Sequence, residues 1–237
     1  MNKKTLVVMG NGPSLKDIDF ELLGKFDCFG LNAAYRAYER LNWYPKYYGC
    51  FDYVVTKSHA ENFKKLVESN SPIERFFYLQ QVSDSPKVQK ISLIPFGASS
   101  KWNSEESDFA NFNDGGNSGV NACQVGVCLG YKKIILVGVD CNYVEHIEGI
   151  RTTQGRLEVV DDLTENPNYW FGDYQQKGDI YNKPNTEKFH LIPWGDFAKR
   201  AENNGIEVVN CSTKTNLKCF RMSTIEQELG SLRESSS

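Results

Sequence analysis

Thr5-Leu-Val-Val-Met9 runs directly into Gly10-Asn-Gly-Pro-Ser14 at the start of the chain. The apolar run predicts a buried strand, and the glycines predict a sharp turn at its carboxyl end. Glycine permits close approach to a ligand, Pro13 pre-sets a helical φ, and the N–H groups that follow point toward whatever lies above the strand. A plain strand-to-helix connection explains the glycines equally well, but Asn11 adds an amide that a simple turn does not need.

Length and charge limit the class of protein. The 237 residues suit one α/β domain, and Lys+Arg 27 against Asp+Glu 30 gives no basic surface for nucleic acid. The sequence shows no apolar run near the roughly 20 residues of a membrane span and no signal-peptide pattern. We therefore expect a cytoplasmic protein; peripheral membrane association and a homo-oligomer are both compatible with the sequence.

Cysteine and histidine usage argues against a metal or disulfide framework. The 7 cysteines include no Cys-x-x-Cys pair, and most lie in apolar runs, which predicts reduced, buried thiols. The 3 histidines, His59, His146 and His190, are too few for a histidine-rich zinc site. We predict no metal site.

Apolar runs alternate with helical patterns, which is typical of a mostly parallel sheet with helices on both faces. The predicted strands are Thr5–Met9, Cys28–Asn32, Tyr47–Asp52, Arg75–Leu79, Ile91–Ile94, Lys133–Asp140 and Ile206–Asn210. The predicted helices are Ala33–Leu41, Lys57–Ser69, Gly119–Leu129, which is apolar nearly all round, Trp194–Asn203, and a short last helix opened by Ser223-Thr-Ile-Glu226.

Two segments depart from this alternation. Gly97–Gly116 is polar and aromatic and predicts a surface loop. Cys141–His190 holds 7 aromatic residues but little apolar periodicity. Because a structureless loop of that length is uncommon unless it covers a site, we predict a lid inserted after the strand that ends at Asp140 and call it the lid segment.

Polar residues collect where the predicted strands end. Asn11, Asn32, Asp52 and Asp140 each follow a strand, and Gly115-Gly-Asn-Ser-Gly119 opens the buried helix with free N–H groups and the Ser118 hydroxyl. Each has an ordinary explanation as a turn former, helix cap or loop. Together they lie at one edge of the sheet and suit a sugar, a ribose and phosphates.

Three of these elements carry a family resemblance. Gly10-Asn-Gly-Pro-Ser-Leu15, Asn32, and the stretch from Asn117-Ser-Gly-Val120 to Asp140 resemble the bacterial sialyltransferases that extend lipooligosaccharide. They also resemble the wider superfamily of motility-accessory flagellin glycosyltransferases and an archaeal hydroxymethyl-dihydropterin pyrophosphokinase. The resemblance implies a single Rossmann-like nucleotide-binding domain over residues 1–237, a GT-A-like variant with a lid at about 141–190.

The resemblance also implies donor-binding residues. By analogy with the family, Asn11, Asn32 and Asp52 would contact a CMP-sugar. The family's Thr-Ser-Gly element, which binds the donor's carboxylate and nucleotide, corresponds to Asn117-Ser118-Gly119. The full predicted donor set is Gly10, Asn11, Gly12, Ser14, Asn32, Asp52, Asn117, Ser118, Gly119, Asp140 and Asn142.

Two departures from the family concern catalysis. Where the relatives have two tyrosines that support the departing phosphate, this chain has Asn142 and Tyr143. Where they have a histidine base, it has Tyr169, and His190 is the nearest histidine that follows. The predicted catalytic residues are therefore His190 or Tyr169 for the proton, and Tyr143 or Tyr174 for the leaving phosphate.

The resulting prediction is a glycosyltransferase of lipopolysaccharide or capsule biosynthesis, which moves a sialic-acid-like nonulosonic acid from a CMP-activated donor to a glycan acceptor with inversion and without a cofactor. Two alternatives stay open. One is pyrophosphokinase-type phosphoryl transfer, with Asp52 and Asp140 holding Mg²⁺ against ATP. The other is a nucleotide- or glycan-binding module without catalysis.

Overall fold

The computed structural model describes residues 4–234 and is built on an eight-stranded sheet. The strands of the described chain are β1 (Thr5–Met9), β2 (Asp27–Leu31), β3 (Tyr47–Cys50), β4 (Arg75–Tyr78), β5 (Val88–Lys90), β6 (Leu93–Ile94), β7 (Phe112–Asn113), β8 (Lys133–Val137), β9 (Ile150–Thr153), β10 (Arg156–Val159), β11 (Ile180–Asn182), β12 (Glu207–Asn210) and β13 (Arg221–Met222).

The helices surround this sheet. They are α1 (Phe20–Leu23), α2 (Tyr35–Leu41), α3 (Tyr53–Ser58), α4 (Ala60–Glu68), α5 (Ser118–Cys128), α6 (Ile192–Asn203) and α7 (Ile225–Glu234). Short 3₁₀ helices cover Pro13–Asp17, Asn32–Ala34, Glu106–Asn111 and Gly172–Tyr174, and a π-helix covers Thr186–Leu191. No helix within residues 4–234 is both long enough and apolar enough to cross a bilayer.

The strand order places the site. In the large sheet the order is β13-β12-β8-β1-β2-β3-β4-β5, and every neighbouring pair is parallel. The chain leaves β1 toward β2 on one side and returns later to place β8 on the other, so the order reverses between β1 and β8. Doubly wound sheets bind ligands at such a point, beyond the carboxyl ends of the strands.

Strand β1 shows why both faces of the sheet are covered. Leu6 and Val8 point to one face, where they share a core with α5 and α6, while Val7 and Met9 share the opposite core with α2 and α4. Burying each such side chain contributes about 1.5–3 kcal/mol. The predicted α/β class, a mostly parallel sheet with helices on both faces, is confirmed.

Two strand predictions need correction. The strand predicted over Lys133–Asp140 ends at Val137, because Gly138 takes φ +65° and turns the chain. The strand predicted over Ile91–Ile94 forms only at Leu93–Ile94 and lies outside the large sheet. The chain leaves the large sheet after β5, and β6 pairs instead with β7 in a separate two-stranded sheet.

Several helix predictions also shift. The helix predicted over Lys57–Ser69 starts earlier and divides into α3 and α4, because Asp52 caps the N–H groups of Val54 and Val55 and the backbone breaks at His59. The last helix begins one residue late: Thr224 and Gln227, rather than Ser223 and Glu226, exchange the capping hydrogen bonds.

The two predicted irregular segments contain secondary structure. Gly97–Gly116 includes a 3₁₀ helix and β7, and the lid segment includes an antiparallel sheet of β9, β10 and β11. Trp170 and Tyr174 of the lid segment join the same core as Val7. All seven cysteines are free; six are buried as predicted, and Cys219 is exposed.

Candidate functional site

A cleft of about 1010 Å³ opens beyond the carboxyl ends of β1, β2, β3 and β8. Of the residues predicted to form the site, Ser14 alone does not line it. The structure thus brings together Gly10, Asn11, Gly12, Asn32, Asp52, Asn117, Ser118, Gly119, Asp140, Asn142, Tyr143, Tyr169, Tyr174 and His190.

Gly10 and Gly12 allow the turn after β1 to pack directly against the turn after β8. The N–H groups of Gly10 and Gly12 donate to the carbonyls of Val137 and Gly138, both at 2.8 Å. A Cβ on Gly12 would lie 2.6 Å from the Asp140 carboxyl carbon. The N–H groups of Gly10 and Gly12 are therefore satisfied within the protein.

Ser14 holds Asp140 from below the cleft. Its N–H donates to Asp140 Oδ2 at 2.8 Å, and its hydroxyl donates to Oδ1. Ser14 is fully buried, so we correct its predicted role from donor contact to support of the β8 turn. Burial raises the pKa of Asp140, and the hydrogen bonds from Ser14 oppose that rise.

Asn11 and Asn32 present unsatisfied acceptors. Asn11 Nδ2 donates to the Leu31 carbonyl at 3.1 Å, but the buried Oδ1 atoms of both Asn11 and Asn32 have no hydrogen-bond partner. Asn32 takes φ +55°, which fixes its position directly after β2. A buried acceptor left unpaired costs about 1–3 kcal/mol, so a ligand that donates hydrogen bonds to these two oxygens would gain that free energy on binding.

Helix α5 begins at the wall of the cleft. Asn117 caps it by accepting from the Val120 N–H at 2.9 Å, and its Nδ2 donates to the Phe189 carbonyl at 3.0 Å. Ser118 and Gly119 form the first turn and line the cleft. The N–H groups and dipole at a helix N-terminus favour an anion.

Buried amides hold the loop before α5. Asn121 Oδ1 accepts from the Gly115 N–H at 2.7 Å, and Gln124 Nε2 donates to the Asn113 carbonyl at 3.1 Å. Both amide side chains are fully buried. The helix that the sequence presents as almost wholly apolar therefore uses its two buried amide residues to shape the cleft.

Asp52 joins β3 to the lid segment. Its Oδ1 accepts from the N–H groups of Val54 and Val55 at 2.8 and 3.1 Å, and Asn182 Nδ2 donates to both carboxylate oxygens at 3.0 and 2.9 Å. The carboxylate is thus engaged in structural hydrogen bonds on the cleft wall.

Two stacked tyrosines of the lid segment line the cleft. The rings of Tyr169 and Tyr174 lie 3.9 Å apart at 13°, and the Tyr174 hydroxyl accepts from the Ala33 N–H at 3.2 Å. Burial, with the charge of Asp52 second, raises the pKa of Tyr169, so its hydroxyl stays protonated at neutral pH.

His190 lies beside Tyr143. Their ring centroids are 5.0 Å apart, and His190 belongs to the π-helix that leads into α6. Burial lowers the pKa of His190 to about 4 and raises that of Tyr143. At neutral pH the imidazole is therefore uncharged and able to accept a proton, whereas the phenol is a donor.

Several residues that support this site were not predicted from the sequence. Asn168 pairs with both backbone groups of Val144, at 2.7 and 2.8 Å, and thereby fixes the chain beside Tyr143. Behind the β8 turn, Ser212 and Thr215 bond the N–H and carbonyl of Val139 at 2.9 and 2.7 Å. The asparagines of the lid segment were the available signal: Asn142, Asn166, Asn168, Asn182 and Asn185.

The described residues include no group of three histidines, cysteines or carboxylates arranged to hold a metal ion. Asp52 and Asp140, which the phosphoryl-transfer alternative assigns to Mg²⁺, are each engaged by protein donors. In this arrangement the two carboxylates accept hydrogen bonds from the protein and do not form a preformed Mg²⁺ site.

The strand order, the switch point and the cleft define a GT-A-like, Rossmann-type α/β fold. Neither the protein-family models nor the curated proteins gave a match. Among solved structures, the chain is similar to the sialyltransferase CST-II in complex with trisaccharide acceptor and CMP, at 18% identity and TM-score 0.50, covering 92% of this chain and 85% of that one.

Two further structures share the fold. The sialyltransferase CstII from Campylobacter jejuni in complex with CMP matches at 19% identity and TM-score 0.50, over 94% of this chain and 85% of that one. The MAf glycosyltransferase from Magnetospirillum magneticum AMB-1 matches at 14% identity and TM-score 0.51, over 98% of this chain and 37% of that one. The expected likeness in fold is confirmed over nearly the whole chain.

Proposed function

We propose that this protein is a glycosyltransferase that moves a sialic-acid-like nonulosonic acid from a CMP-activated donor to a glycan acceptor with inversion. The observation that carries the proposal is the pair of buried, unpartnered oxygens on Asn11 and Asn32, in a cleft that the N-terminus of α5 also lines. CMP offers a matching set of groups: an amine and ribose hydroxyls that donate, and a phosphate that accepts.

The comparisons support this choice of ligand. CST-II and CstII, which share the fold, were solved with CMP bound, and the MAf protein is a glycosyltransferase too. The cleft volume of about 1010 Å³ is at the upper end of small-molecule sites and leaves room for a nucleotide and a sugar.

The reaction breaks the bond between the anomeric carbon and a phosphate oxygen while an acceptor hydroxyl attacks from the opposite side. The protein must orient the two substrates, stabilise the departing phosphate and remove one proton. We assign the donor to Asn11, Asn32 and Ser118, and the phosphate to the protonated hydroxyl of Tyr143. Tyr174 is nearly fully buried and stacks on Tyr169, which favours Tyr143 for that contact.

We assign the proton to His190. Its lowered pKa, about 4, leaves the imidazole unprotonated at neutral pH, while the raised pKa of Tyr169 leaves that hydroxyl protonated. A base must be in its deprotonated form to act, so histidine meets the requirement and tyrosine does not. Tyr169 then serves as a binding surface.

The phosphoryl-transfer alternative keeps one observation in its favour, because Asp52, Asp114 and Asp140 all line the cleft. Mg²⁺ prefers such hard oxygen ligands. The two candidates differ in the nucleotide they bind and in their need for a metal, and these differences decide the experiment.

The test is a thermal-shift screen of CMP, CDP, UDP, GDP and ATP, each with EDTA and with Mg²⁺. A ligand at a hundred times its dissociation constant stabilises a fold by about 2.7 kcal/mol, which is readily measured. We expect CMP to stabilise the protein most, with or without Mg²⁺. Stabilisation by ATP with Mg²⁺ and none by CMP would support phosphoryl transfer instead.

A further inference from the structure

The charges around the cleft are strongly unequal. Among the described residues that line it, four are carboxylates, Asp52, Asp114, Asp140 and Glu145, and Lys183 is the only lysine or arginine. His190, with its pKa lowered to about 4, adds no positive charge at neutral pH. An anionic substrate therefore meets a single cationic side chain in this cleft.

Three of the carboxylates are held by other protein groups. Asp52 accepts from Asn182, Asp140 accepts from Ser14, and Asp114 accepts from the Gly116 N–H at 2.8 Å and from Asn121 at 2.9 Å. Glu145 differs, because its carboxylate faces Lys183 at a distance of 3.7 Å.

The ion pair between Lys183 and Glu145 is weak enough for the ammonium to change partners. Its separation of 3.7 Å is longer than a hydrogen bond, and the two side chains are 39% and 65% exposed. Exposed ion pairs of this kind contribute little to stability. A better-placed anion in the cleft can therefore take the ammonium from Glu145 at small cost.

The backbone of Lys183 is held firmly. Its N–H donates to the Gly155 carbonyl at 2.8 Å, and the preceding residue, Asn182, is bonded to Asp52. Lys183 also shares the wall of a small recess with Tyr143 and Tyr169, the tyrosines nearest the proposed chemistry. The ammonium is thus carried on a fixed strand end beside these two rings.

We propose that Lys183 binds the phosphate of the nucleotide donor, and that Glu145 holds the ammonium only while the cleft is empty. This inference rests on the proposed function. During transfer the bond from the anomeric carbon to the phosphate oxygen breaks and its electron pair stays on that oxygen, while the acceptor oxygen bonds to the carbon and its proton goes to His190. The phosphate gains one negative charge, which the ammonium neutralises.

The test compares CMP with cytidine, which lacks the phosphate, by calorimetric titration against four proteins. In Lys183→Ala we expect CMP affinity to fall about tenfold, because a charge-assisted hydrogen bond is lost, while cytidine affinity stays within about twofold. In Glu145→Gln, which removes the competitor, we expect CMP to bind more tightly than in the wild type. Lys188→Ala, a control on an exposed lysine outside the cleft, should match the wild type.

The outcomes separate this inference from the proposed function. If CMP binds the wild type and Lys183→Ala keeps the wild-type ratio of CMP to cytidine affinity, Lys183 does not bind the phosphate and the proposed function stands. Weaker CMP binding by Glu145→Gln would also contradict the exchange of partners. If neither CMP nor cytidine binds the wild type, both proposals fall.

Discussion

Arg36 on α2 and Asp179 in the lid segment form a bidentate ion pair, with guanidinium nitrogens 2.5 and 3.0 Å from the two carboxylate oxygens. The same guanidinium donates to the Tyr174 carbonyl at 2.7 Å, and His59 Nε2 lies 3.5 Å from Asp179. Since α2 begins three residues after Asn32, this cluster fixes the tyrosines of the lid segment relative to the proposed donor-binding turn.

Removing Asp179 should be costly, because the Arg36 side chain is only 8% exposed. Breaking a buried pair on one side leaves an uncompensated charge, so we expect Asp179→Ala to lower the free energy of unfolding by about 3–5 kcal/mol. Asp173→Ala is the matched control. It breaks the salt bridge between Asp173 and Arg40, two side chains that are each 46% exposed, and should cost at most about 1 kcal/mol. Urea denaturation measures both, and equal losses would contradict the role of the buried pair.

The same cluster predicts a pH dependence of stability. Burial lowers the pKa of His59 from 6.5 to about 4; the charge of Asp179 opposes this shift, and that of Arg36 adds to it. Below pH 6.5 the unfolded state takes up the proton first, so the free energy of unfolding should fall between pH 6.5 and pH 4 by up to about 3 kcal/mol from this group. We expect His59→Gln to have a shallower slope in this range than the wild type and than His146→Gln, where the histidine is exposed. Identical slopes in all three proteins would refute the assignment.

The contact between the β1 and β8 turns gives a steric prediction. A Cβ on Gly12 would lie 2.6 Å from the Asp140 carboxyl, so Gly12→Ala should cost about 1–3 kcal/mol of stability and weaken CMP binding. Gly195→Ala is the control. Its Cβ would meet nothing within 4 Å, and alanine should favour α6 by up to about 1 kcal/mol. Thermal melting that showed Gly12→Ala to be neutral would mean that the two turns can separate freely.

Parts of the fold follow directly from local sequence. β1 and its turn were predictable because an apolar run ends in Gly10-Asn-Gly12 and Pro13, and both the run and the breakers are local signals. The prediction of β8 extended too far because Val139 continues the apolar pattern. The left-handed φ of Gly138, which ends the strand, occurs where Gly138 packs against Gly10. His59, where the helix breaks, is buried and lies 3.5 Å from Asp179, a contact that no local pattern reports.

In the site, too, features set by local sequence were predictable and features set by long-range contacts were not. Asn11, Asn32, Asp52 and Asp140 could be placed at one edge because parallel strands end together. The role of Ser14 could not, since it depends on Asp140, 126 residues away. Lys183 was missed because β11 belongs to a segment without apolar periodicity, so nothing in the sequence placed its end at the cleft.

Activity should separate His190 from Tyr169. We expect His190→Ala to reduce kcat by about a hundredfold or more, the typical contribution of a general base, and Tyr169→Phe to change KM more than kcat. Because the pKa of His190 is about 4, kcat/KM of the wild type should fall only as pH drops toward 4, not near 6.5. CMP release at varied pH measures both effects. Nearly full activity in His190→Ala, with none in Tyr169→Phe, would assign the base to the tyrosine.

The most direct measurement is calorimetric titration of CMP in EDTA against the wild type, Asn32→Gly and Asn42→Gly. Both asparagines have positive φ, at 55° and 47°, so glycine fits either backbone, but Asn42 is exposed and outside the cleft. We expect one saturable CMP site without metal, about tenfold weaker in Asn32→Gly because a buried hydrogen bond of about 1.4 kcal/mol is lost, and unchanged in Asn42→Gly. Absence of CMP binding in the wild type, or equal affinity in all three proteins, would contradict this expectation.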